Sequence, residues 1–210
     1  MATVTPDNSS NRRARLAALQ AADDRKKRRR RLIVIIGGVV AALAVVAAIA
    51  IPLALRAQQP KADTSLDAVK QFSGLSNKHT TSSVSYPMSP PVGGDHDPTP
   101  QNCGVYTAPV RNENAVHSLE HGAVWITYTP DLAPDQVSVL QADAKGHTHV
   151  LVSPYPGLGS AVVLNAWGLQ LPVDSASDPR VAAFIKTYEQ GPQTPEPGAE
   201  CSGGTGTPLS

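Results

Sequence analysis

The chain has 210 residues, 41% of them hydrophobic and 4% aromatic, with a formal net charge of +1; this length fits one domain with appendages rather than several. The near-neutral total hides a division: ten of the 18 basic residues fall within the first 31 positions, whereas from Arg56 onward 8 basic residues face 14 acidic ones, a net charge of −6. An acidic body of this kind favours cations and argues against nucleic acid as a partner, and two cysteines are too few for a disulfide-rich scaffold.

Residues 1–31 read as a polar, basic tail. Arg13 to Gln20 suits a short surface helix, and Arg25 to Arg31 are seven consecutive Lys or Arg residues. Leu32 to Leu55 follows as 24 residues without a charge. At ~1.5 Å per residue this run reaches ~36 Å, more than the ~30 Å hydrocarbon core of a bilayer requires. Pro52 falls in its last turn, where a membrane helix tolerates proline. The basic run on one side, against Arg56 alone on the other, predicts a single-pass cell-membrane protein with a cytoplasmic N-terminus and an extracytoplasmic C-terminal domain. The same run suits anionic lipid headgroups. A cleaved signal peptide is the alternative, although its apolar region is ordinarily roughly 7–15 residues long. Gly37 with Ala41, and Gly38 with Ala42, have the spacing that lets membrane helices pack closely.

Residues 56–78 read as a linker followed by a short helix. Thr64 and Asp67 form a capping-box pattern ahead of Leu66, Val69 and Phe72. Residues 79–201 form the expected globular domain, and 202–210 a flexible tail. The stretch from Tyr86 to Asn102 is rich in Pro and Gly, which predicts an ordered loop rather than a helix or central strand. A short strand is expected at 104–106. A helix is expected from Glu113 to His121, with Asn112 as N-cap and Gly122 as its stop, and a strand over 123–128. Pro134 to Ala144 reads as a helix, and 149–152 and 161–164 as strands. Asp178-Pro179 caps and starts the clearest helix, with Val181, Phe184, Ile185 and Tyr188 along one face. This alternation predicts an α/β or α+β sandwich, with an element order also found in thioredoxin-like folds.

The chemistry concentrates in His117-Ser118-Leu119-Glu120-His121. On a helix, positions i and i+4 share a face, so His117 and His121 can turn toward one ion. His96, in the stiff Pro/Gly loop, is the expected third ligand, with His79 or the soft thioether of Met88 completing the set. Glu120 points roughly 100° away from His121 and suits an outer or base role. If the segment were a strand, His117, Leu119 and His121 would share a face instead. Histidines at i, i+4 also commonly occupy a half-buried helix face and hydrogen-bond to backbone. The string fits H-x-x-E-H, the inverted zinc-peptidase motif, with Glu120 as base and Glu189 or Glu196 as a further ligand. His147 and His149 read as an exposed turn beside Gly146. Cys103 and Cys201 are expected to pair, since both lie beyond the span in an oxidising compartment, and no C-x-x-C suggests dithiol exchange.

Several strings together carry a resemblance: Pro90-Pro-Val-Gly-Gly-Asp-His96, Asn102-Cys-Gly-Val-Tyr106, Glu113 through Gly122, Ser153-Pro-Tyr-Pro-Gly-Leu158, Ala166-Trp-Gly168, and Gly191-Pro-Gln-Thr-Pro-Glu-Pro-Gly198. Over roughly residues 70–201 the chain resembles a bacterial family of membrane-anchored proteins known as domain of unknown function 3105. The resemblance implies a single-pass protein with an extracytoplasmic domain and supplies no activity, cofactor or catalytic residue. The leading expectation, carried by the histidines, is a non-enzymatic envelope protein that binds copper or zinc. The alternatives are a metal-free anchored interaction module with an envelope partner and, more remotely, a zinc hydrolase.

Overall fold

The computed structural model describes residues 8–57 and 63–209. Two compact units are present, residues 1–61 and 62–210. The first is a single α-helix, Asn8–Ala57 (α1), which contains both the expected short helix at 13–20 and the expected span. Its Leu19–Ile51 stretch is long and apolar enough for a membrane anchor or a signal sequence. Most of the linker expected at 56–63 lies outside the described residues.

The second unit is a mixed α+β fold built on one six-stranded sheet. In chain order its elements are Lys70–Gln71 (β1), Gly104–Val105 (β2), Asn112–Glu120 (α2), Val124–Tyr128 (β3), Pro134–Ala144 (α3), Val150–Pro154 (β4), Val162–Ala166 (β5), Leu169–Val173 (β6) and Pro179–Tyr188 (α4). The sheet order is β1-β6-β5-β3-β4-β2. β3 and β4 pair in parallel, which requires the α3 crossover between them. β5 pairs antiparallel with β3 on one side and with β6 on the other.

Helices cover both faces of the sheet, so β3, β4 and β5 are buried along their whole length, with apolar side chains on both faces and only Thr127, Ser153 and Asn165 polar among them. Period-2 alternation still sorts the side chains by face. Val124, Ile126, Val150, Val152, Leu164 and Leu171 pack with Leu140 of α3 and Phe184 of α4. Trp125 and Leu151 point the other way, onto Ala115 and Leu119 of α2.

Three local expectations change. Residues 64–72 form a turn and the two-residue strand β1 instead of a helix. Ser65 Oγ accepts from the Asp67 amide, and the Phe72 amide donates to the Gly168 carbonyl. Pairing at the sheet edge thus outweighs a short capping signal. β6 went unexpected because Pro172 sits inside it. The strand tolerates proline there because β1 reaches only Gln170 and Leu169, so position 172 faces no partner on that side. Residues 202–209, expected as flexible, are hydrogen-bonded to 100–105: the Asn102 amide donates to Thr205 O, Thr205 to Pro100 O, and Leu209 to Val105 O. The Cys103–Cys201 disulfide holds the start of this segment in place.

Candidate metal centre

The segment 112–120 is a helix, which settles the choice between helix and strand. Arg111 is its N-cap, so Asn112 lies inside the first turn. His121 is the C-cap, with φ −75° and ψ 0°. Gly122 ends the helix at φ +94°, where an added Cβ would stand 3.0 Å from the Gln190 Cα. Positions i and i+3 share a helix face as surely as i and i+4 do, and here the inward pair is His117 and Glu120.

The Pro/Gly loop is ordered, as expected, and it is the β5–β6 hairpin that braces it. At the hairpin tip the Gly168 amide donates to the Val92 carbonyl (2.7 Å). From within the sheet, Gln170 Nε2 donates to the Pro90 carbonyl (3.0 Å). Gly93 passes so close to Leu75 and Trp167 that a Cβ would lie 2.7 Å from Leu75 Cδ1. Tyr86 Oη donates to the Asp95 carbonyl (2.7 Å). These contacts deliver His96, fully buried, edge-on to Trp167 with ring centroids 6.0 Å apart. His79 arrives on a parallel bridge beside His96, fixed by Thr80 N to His96 O (2.7 Å) and His96 N to Lys78 O (3.0 Å).

Four residues therefore converge: His79, His96, His117 and Glu120 each place one ligand atom within 4.8 Å of the others. The ring centroids of the three histidines lie 4.9–5.0 Å apart. His96 Nδ1–H donates to the Gly94 carbonyl (2.8 Å) and His117 Nδ1–H to the Asp97 carbonyl (2.7 Å). A carbonyl can only accept, so each ring carries its proton on Nδ1 and presents Nε2 to the centre. His96 Nε2 lies 2.9 Å from Glu120 Oε2, and His79 Nε2 3.9 Å from it. The 2.9 Å contact has the separation of an ion pair but not the direction of a hydrogen bond, because His96 Nε2 and both Glu120 oxygens are buried without a hydrogen-bond partner among the described residues. Burial pushes the His117 imidazole down to about 4, with the neighbouring histidines adding to the effect and the Asp97 carbonyl opposing it. Near neutral pH it is an uncharged donor, as metal binding requires. Three imidazoles and one carboxylate make a group that can hold a metal ion.

Two residues expected at the centre stand outside this group. The His121 ring is 4.5 Å from that of His117, centroid to centroid, but its Nδ1–H is bonded to the Glu200 carbonyl (2.7 Å) and its Nε2 faces Glu196 Oε2 at 3.5 Å. The adjacent disulfide at Cys201 fixes the irregular segment that supplies this carbonyl. Met88 is half-buried in the Pro-rich loop, and the four-residue group closes without it. Glu120, read from the sequence as an outer group, takes its place with the histidines; its i, i+3 spacing from His117 was the available signal. Glu189, a candidate ligand of the peptidase motif, is engaged elsewhere: it bonds His147 Nδ1 (2.5 Å) and the His149 amide (3.0 Å). His149 itself is buried rather than exposed, and its Nε2–H donates to the Ala199 carbonyl (2.9 Å).

No curated protein and no solved structure matches the chain. A family model does: the one described as Protein of unknown function (DUF3105) matches residues 77–203, which include His79, His96, His117, Glu120 and both cysteines. Since this match covers more than half of the sequence, the chain belongs to the DUF3105 family.

Proposed function

We propose that this protein is a membrane-anchored, extracytoplasmic metal-binding protein whose ion, zinc or copper, is held by His79, His96, His117 and Glu120. The observation that carries the reading is Glu120. Its carboxylate is 1% exposed, and among the described residues neither oxygen has a hydrogen-bond donor. Facing it is the Nε2 of an equally buried imidazole whose other nitrogen is already committed. A buried charge without a partner costs several kcal/mol, and a cation shared between these atoms removes that cost. Zinc and copper both accept imidazole, and zinc takes four ligands in its closed sites. The ion's role is metal handling or stabilisation of the domain, and no catalytic residue is assigned.

The topology belongs to the same proposal. Residues 32–55 span the membrane as a retained anchor, with the basic run at 25–31 on the cytoplasmic side. The disulfide supports an oxidising location for the unit at 62–210.

The test is metal analysis of the full chain, purified in detergent without a histidine tag. The expected result is close to one zinc or copper per chain in the wild type and none in His117→Ala. A metal-free wild type that neither added ion stabilises would sink the proposal. It would leave His96 and Glu120 as a buried ion pair in a metal-free interaction module.

A further inference from the structure

The four residues of the centre are not equivalent. His96 and Glu120 are 0% and 1% exposed, and His117 is 4% exposed. His96 and His117 are each locked by an Nδ1–H bond to a carbonyl. The His79 side chain is 49% exposed, and among the described residues its ring makes no hydrogen bond. Its backbone, by contrast, is tied on both sides to the His96 loop, so the ring can swing by side-chain rotation alone while the chain stays in place.

The distances agree with this difference. An ion bound at ~2.0–2.1 Å by tetrahedral ligands sets ligand-to-ligand edges of roughly 3.3–3.4 Å. The His96–Glu120 edge of 2.9 Å is shorter than that and the His79–Glu120 edge of 3.9 Å longer, and the exposed His79 ring is the one that can move to close the long edge. Structural zinc sites are closed by four held ligands, whereas sites that do chemistry or exchange keep three protein ligands and one replaceable position. Three anchored donors with one loose one place this centre in the second class.

We propose, resting on the metal reading above, that His79 is a displaceable ligand. His96, His117 and Glu120 hold the ion, and departure of His79 opens a single solvent-facing position for an external monodentate nitrogen donor of the imidazole type. The exchange is of neutral ligands, so no charge or proton has to be balanced. The metal enters, leaves or meets a second molecule on the His79 side.

Cobalt(II) in the detergent-solubilised full chain provides the test, because its visible spectrum reports the ligand set. Wild type and His79→Ala should each bind one equivalent, and His117→Ala should lose it. Truncating an exposed ring leaves no core cavity, and the disulfide and circular dichroism check the fold. Added imidazole should shift the spectrum of the His79→Ala protein saturably, at a concentration at least tenfold below that needed for the wild type. A chelator should strip the variant at least tenfold faster. Loss of cobalt from His79→Ala as complete as from His117→Ala would overturn the proposal. So would a variant that keeps cobalt but ignores imidazole. Failure of the wild type to bind cobalt at all is a different result, and it removes the metal reading itself.

Discussion

Replacing Glu120 by Gln separates the two states that a buried carboxylate beside His96 can adopt. The substitution keeps the volume and removes the charge. In protein stripped of metal, the wild-type carboxylate is buried without a donor. Leaving a charge uncompensated in such a place costs about 3–5 kcal/mol, whereas an unsatisfied neutral amide costs about 1–3 kcal/mol. Taking the middle of each range, the Gln variant should therefore be more stable than the stripped wild type by about 2 kcal/mol. In a unit of this size each kcal/mol moves the melting temperature by about 2–4 °C, so the variant melts roughly 4–8 °C higher when both are metal-free. Metal reverses the order. At a hundredfold excess over Kd, binding stabilises the wild type by about 2.7 kcal/mol, a rise of about 5–11 °C. The variant, without its anionic ligand, gains little. The assay is scanning calorimetry of the full chain in detergent, with one arm in chelator and one in excess zinc or copper. The reasoning is refuted if the variant melts below the wild type in chelator and metal moves neither. That pattern belongs to a carboxylate paired with an imidazolium at His96.

Three further substitutions probe the disulfide, the α4 cap and the close approach at Gly122. Cys103→Ser should cost about 2–5 kcal/mol, since the disulfide closes a loop of about a hundred residues. A melt insensitive to both the substitution and a reductant would show that the bridge contributes nothing. Asp178→Ala should cost about 1 kcal/mol in thermal unfolding, because its carboxylate caps α4 at Arg180 N (2.9 Å). The Arg180 guanidinium and amide hold that carboxyl below its ordinary value of 3.8. A lowered folded value means that the native state binds its proton later than the unfolded chain. The contribution is thus complete above pH 3.8 and fades as pH falls through the lower folded value, so the gap between wild type and variant should narrow in acid and not in base. Gly122→Val places a Cβ 3.0 Å from Gln190 at a positive φ. It should lower stability by about 1–3 kcal/mol, and an unchanged melting temperature would contradict the close approach drawn here.

Legibility from sequence differed from one element to the next. α4 was readable because its cap, its proline and its apolar face all lie within the short stretch from Asp178 to Tyr188. β3 was readable because β-branched and aromatic residues fill a strand buried on both faces. β1 and β6 were not, since the one is defined by its partner and the other carries a proline that only its edge position excuses. At the centre, three of the four converging residues, His79, His96 and His117, were named as ligands from the sequence. The exchange of His121 for Glu120 depended on where one helix turn ends and on a carbonyl supplied from residue 200.

By itself, the sequence determined what local chemistry dictates: a charge-free run behind a basic block, a helix bearing His117, buried strands, and two cysteines with only each other to pair with. Only the tertiary structure decided which side chains meet. His96 reaches His117 because the tip of a hairpin seventy residues further on binds the Val92 carbonyl and braces the glycine loop. Contacts between segments so far apart are chosen by packing and by the need to satisfy buried polar groups, and these constraints leave no mark on residue spacing.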